Sequence, residues 1–156
     1  MRRSRKRAGS WGLLCVAAAL ACSCRPVAVQ PDLVTLADVA VPASAPEDLN
    51  ILAVGIADGE GRILLRTTGA TVARGSTIDI GVMGPGLVEG TGFLVVGVGI
   101  PVRLVRYAMT QGGGIEPMPA AVLSLTVPES APPGLYSLIV FRGTHYSIFS
   151  GGLEVV

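Results

Sequence analysis

Three cysteines, one histidine and eleven carboxylates are the side chains of this 156-residue sequence with the most to offer chemically. The thiols are Cys15, Cys22 and Cys24, all inside or just after an apolar run near the N-terminus. A thiolate in that setting is an acceptor for a lipid. It is not part of a disulfide framework, because no cysteine follows Cys24. His145 stands alone after Arg142-Gly143-Thr144, a turn signal. One imidazole without a thiolate partner does not make a metal site, so His145 reads as a solvated turn residue. Serines are plentiful, but no Gly-x-Ser-x-Gly elbow occurs, and the one lysine, Lys6, lies in the leader. Asp58-Gly59-Glu60-Gly61 offers oxygen ligands. It lacks the Asp-x-Asp-x-Asp-Gly spacing of a calcium loop and reads as a charged hairpin turn. Gly112-Gly113-Gly114 has no Lys-Ser/Thr partner and no helix after it, so it reads as a loop and not a phosphate cradle. No catalytic residue, metal ligand or cofactor is expected, and the chain reads as a non-enzyme.

The leader explains where the thiols sit. Arg2, Arg3, Arg5, Lys6 and Arg7 precede an apolar run from Trp11 to Ala21. The run is shorter than the roughly 20 residues that span a bilayer as a helix. A basic start, a short apolar run and small residues at the end form an export signal, expected over residues 1–21. Ala19-Leu20-Ala21-Cys22 resembles a bacterial lipobox, with the leucine one place nearer the cysteine than is usual. The resemblance implies lipid attachment at Cys22, with Cys24 as a second and weaker register. A plain cleaved signal with incidental cysteines is the alternative. The expected location is the cell envelope, lipid-anchored at the outer membrane or periplasmic face; otherwise the product is secreted or periplasmic.

Removing the leader changes the charge. Five of the twelve basic residues go, leaving seven against eleven acidic ones. A mildly acidic chain without clustered cations is a poor ligand for phosphate, so nucleic acid is not an expected partner. The only tryptophan, Trp11, also lies in the leader.

About 130 residues remain, enough for one domain with one core. Residues 22–46 carry prolines at 26, 31, 42 and 46 and read as an extended tether, with a short edge strand over 34–41 as the alternative. Residues 47–156 are short apolar runs broken by glycine and proline. Leu49–Ala57 and Arg62–Thr68 flank the acidic turn as a hairpin. Thr77–Val82 and Ala121–Val127 alternate with period two, the pattern of half-buried strands. Phe93–Val98 and Val102–Met109 form a candidate pair around Pro101. Leu135–Arg142 is apolar on nearly both faces and reads as central; Tyr146–Phe149 and Leu153–Val156 complete the set. The expected fold is all-β, an antiparallel β-sandwich of about seven to nine short strands behind an N-terminal signal helix and the tether.

Four motifs occur in order: Arg74-Gly75-Ser76-Thr77-Ile78-Asp79-Ile80, Gly84-Pro85-Gly86-Leu87-Val88-Glu89-Gly90-Thr91, Val127-Pro128-Glu129-Ser130-Ala131-Pro132-Pro133-Gly134-Leu135-Tyr136 and Gly151-Gly152-Leu153-Glu154-Val155-Val156. With them, residues 74–156 resemble the IPT/TIG-like branch of bacterial immunoglobulin-like domains, which implies that the antiparallel β-sandwich of residues 47–156 is Ig-like; residues 47–73 fit that family only loosely. Gly134-Leu135-Tyr136 also has the spacing of a tyrosine corner, in which the Tyr136 hydroxyl bonds back to the backbone beside a central strand.

Charged residues are 15% of the chain, against about 25% in ordinary globular domains. Either a surface left apolar for a partner or a biased composition, with Arg used in place of Lys, accounts for this. The first account makes the chain a protein-interaction or scaffolding module, its partner an unidentified envelope protein. The alternative is a carbohydrate-binding accessory module for a surface glycan. Its candidate stacking residues are Tyr107 and Tyr146, both expected to pack into the core or an edge; Phe93, Tyr136, Phe141 and Phe149 are assigned to the core.

Overall fold

Period-two alternation becomes strand throughout the computed structural model, which describes residues 33–156 apart from 61, 67, 68, 98 and 113. The leader, with Cys22 and Cys24, lies outside the described residues. The strands are β1 (Leu33–Ala37), β2 (Ala53–Ala57), β3 (Arg62–Arg66), β4 (Ala70–Val72), β5 (Thr77–Met83), β6 (Gly92–Val96), β7 (Val102–Gln111), β8 (Pro119–Thr126), β9 (Gly134–Arg142) and β10 (His145–Val155). A single 3-10 turn, Pro46–Asp48, is the only helical element among the described residues.

The fold is all-β, as the sequence predicts, but its architecture departs from a simple Ig-like sandwich. The described residues form ten strands in two sheets, and six of them close into a barrel in the order β1-β3-β2-β5-β8-β7. The other four form a sheet in the order β4-β10-β9-β6. The closing strand comes from the stretch read as a tether. Leu33–Ala37 is not an edge, because it pairs antiparallel with β3 through Leu33↔Leu64 and with β7 through Ala37↔Met109. Closure removes both open edges of that sheet.

A six-stranded barrel has less interior than the eight-stranded kind, which side chains just fill. The lining is correspondingly small: Ala53, Ala108 and Ala120 sit beside Leu36, Ile63, Met83 and Val122, all buried. Gly81 is required here, because a Cβ at that position would overlap Ile63 Cδ1. The hydroxyl of Thr110, fully buried, accepts a bond from the Met118 N–H at 2.9 Å.

A second, larger core lies between the outside of the barrel and the four-stranded sheet. Val54, Ile80, Val82, Ala121, Leu123 and Leu125 from β2, β5 and β8 meet Val95, Leu138, Val140, Leu153 and Val155 from the sheet. This interface is sandwich-like, so alternation in β2, β5 and β8 hides both ways: one face into the barrel, the other into the larger core. The expected pairing of β6 with β7 does not occur. β6 pairs with β9 and β7 pairs with β8, so the connection through Pro101 carries the chain from one sheet to the other. The two C-terminal segments form one strand, β10, whose register slips between Phe149 and Leu153 at Gly151-Gly152.

Candidate functional site

Tyr136 occupies the inner face of β9 and is buried. Its hydroxyl donates to the Pro132 carbonyl, four residues upstream, at 2.6 Å. The Ala131 N–H donates to the Pro128 carbonyl at 3.0 Å and closes the turn beneath it. Tyr136 therefore fixes how the chain enters the central strand. Its ring covers Gly97, where a Cβ would sit 2.6 Å from Cδ1 and Cε1.

The acidic turn is self-contained. Asp58 Oδ1 accepts from the backbone N–H groups of Glu60 (3.0 Å) and Arg62 (2.9 Å), while Arg62 Nε reaches Oδ2 at 2.7 Å. Glu60 also pairs with the Arg62 guanidinium, at 2.9 Å. The Arg62 backbone N–H, and then its side chain, hold the Asp58 carboxyl below its ordinary range. Those bonds occupy the carboxylate and stabilise the β2–β3 hairpin. His145 is exposed at the β9–β10 turn. No group of three or more His, Cys, Asp or Glu gathers in metal-binding geometry among the described residues.

Arg142, at the end of β9, is aimed at carbonyls. Nη1 donates to Gly86 at 3.1 Å and Nη2 to Ser44 at 3.0 Å. Ser147 Oγ lies 2.9 Å from Asn50 Oδ1. The Ser44 and Asn50 bonds hold the 38–52 strap against the β9–β10 hairpin. Val39, Ala40 and Val41 of the strap, with Glu89 and Tyr107, line an open cleft of about 300 Å³. Tyr107 is half-buried there and its hydroxyl donates to the Thr91 carbonyl at 3.1 Å. Burial first of all pushes the Tyr107 phenol pKa up. Its ring packs on the larger core, as expected.

Tyr146 departs from expectation. It is 67% exposed, on the outer face of the four-stranded sheet. Phe141, assigned to the core in the sequence reading, is its cross-strand partner and is 43% exposed. The register carries the row on to Gly92, and the Phe141 ring lies over that glycine in place of a side chain. The next row is Leu94↔Ile139↔Ile148, followed by Val96 opposite Ser137. Leu94, Val96 and Ile148 are about half exposed, and Leu135 is 71% exposed at the other end of β9. None of the outward positions from Gly92 to Val96, Leu135 to Phe141 and Tyr146 to Ser150 carries a charge. The first outward charge along β10 is Glu154, which accepts from Thr71 Oγ1 of β4 at 3.0 Å.

The structure thus brings Tyr146 into an apolar face and leaves Tyr107 and His145 outside it. One sequence signal pointed to the face: Leu135–Arg142 is apolar on both sides. Burial on two sides is the usual reason for such a strand; in β9 the second side is open. Models of protein families, curated proteins and solved structures were all compared with the chain, and none matches it.

Proposed function

We propose that this chain is an exported, lipid-anchored, non-enzymatic Ig-like module that makes protein–protein contacts at the bacterial cell envelope. The observation that carries the reading is the uncharged apolar face of β6, β9 and β10. Monomeric proteins seldom expose contiguous apolar patches beyond a few hundred Å², and larger ones mark interaction sites. Cross-strand pairing and the Tyr136 bond fix the face, which suits a docking surface better than an isolated exposed leucine would. Export and acylation at Cys22, with Cys24 the other register, rest on the leader. The Ig-like assignment is supported by the ordered motifs of residues 74–156 and by the packing of β2, β5 and β8 on the second sheet.

The test is capture from envelope extracts with three baits: the parent, Ile148→Glu on the face, and Thr35→Glu on the exposed outside of β1. The parent and Thr35→Glu retain the same bound protein and Ile148→Glu loses it. Equal capture by all three would sink the reading. A surface glycan is the second reading, favoured by the neighbouring Phe141 and Tyr146 rings, since sugars stack on exposed aromatic faces. It requires glycan binding that Tyr146→Ala abolishes.

A further inference from the structure

We propose that the outer face of the four-stranded sheet is covered by a second copy of this chain, packed face to face about a two-fold axis. The proposal rests on the reading of that face as a contact surface and names its partner. Area is the first argument. Leu94, Val96, Leu135, Phe141, Tyr146 and Ile148 are each 43% to 71% exposed. At the ~150–250 Å² of a large side chain, they offer roughly 600 Å² per copy. With all of that surface covered, a pair of copies buries up to ~1,200 Å², the lower end of what a stable, specific interface needs.

Charge is the second argument. A two-fold contact sets a patch against itself, so a charge near its centre meets its own kind. The Gly92–Val96, Leu135–Phe141 and Tyr146–Ser150 faces have none, and Glu154, opposite Leu135, lies at the rim. The absence of basic residues also disfavours an anionic bilayer as the occupant, because interfacial binding draws on Lys and Arg beside the apolar surface. Shape agrees: sheets stack readily, their strands aligned within about 30°, when the facing side chains are apolar and regularly spaced. The product is a four-layer particle, barrel–sheet–sheet–barrel.

The chain has no cysteine after Cys24, which makes the test direct. Leu94→Cys, Ile139→Cys and Ile148→Cys are introduced one at a time into the full chain, with Thr35→Cys as the off-face control. Intact cells are oxidised and the product's mass is read without reductant, with the parent as the blank for its leader cysteines. At least one face position yields a disulfide dimer at twice the chain mass, absent from the parent and from Thr35→Cys. Adding Tyr146→Glu to that variant abolishes the band while the melting midpoint holds. The proposal is overturned if no face position links, or if Thr35→Cys links equally. Linkage of the face to a different protein overturns the second copy but leaves the contact reading standing. A face that links to nothing and stays open to a thiol reagent overturns both.

Discussion

Two side chains, the Tyr136 hydroxyl and the Asp58 carboxylate, hold the backbone at turns. Tyr136 is the clearest case, its hydroxyl 2.6 Å from the Pro132 carbonyl. Tyr136→Phe removes the donor and keeps the ring over Gly97, so thermal or denaturant unfolding should show a loss of about 1 kcal/mol, the usual net worth of one hydrogen bond. An unchanged midpoint would mean the bond does not fix the turn. Asp58 adds a pH dependence. Its folded-state pKa is depressed by the bonds from Arg62, so its contribution is complete above the ordinary aspartate pKa. The contribution fades as pH falls through the depressed value. Unfolding of parent and Asp58→Asn should differ at neutral pH and converge below the ordinary aspartate range; a gap that widens in acid would contradict the assignment. The Tyr136 bond was legible because Gly-x-Tyr spacing is local. The exposure of Phe141 and Tyr146 was not, because it depends on which strands lie on either side of β9 and which layer covers the sheet.

Strands were legible as elements, but their partners were less so. Alternation located β5 and β8, and the acidic turn located the β2–β3 hairpin. β1 showed only as the alternative of a short edge strand over 34–41, since a five-residue strand between Pro31 and Pro42 gives little periodicity to count. β4 is three residues long and pairs in parallel with β10, a contact no turn signal marks. β6 and β7 look like a hairpin because they are adjacent; the connection through Pro101 sends them to different sheets. The barrel makes its own prediction at Gly81 and Ile63, which share one small space. Ile63→Ala should cost about 2–5 kcal/mol as a buried large-to-small change. Gly81→Ala should destabilise the parent through overlap with Ile63 and do so less in the Ile63→Ala background. The double-mutant cycle should return a coupling of about 0.5–3 kcal/mol; additive effects would mean that the two residues do not meet inside the barrel.

At the scale of the whole molecule, two cores hold one surface in place. The barrel gives β2, β5 and β8 a rigid outer face. The larger core fixes the four-stranded sheet on that face, and the strap held by Arg142 secures the hairpin end. What remains open is the uncharged side of β6, β9 and β10, and a lipid anchor would present it at a membrane surface. The central claim is that this side, and not the barrel, meets a protein partner. The most direct measurement is photocrosslinking in intact cells, with a photoreactive residue placed at Ile148, Leu94 or Thr35. The account predicts a discrete protein adduct from Ile148 and Leu94 and none from Thr35. Adducts of equal yield from all three positions, or from Thr35 alone, would contradict it.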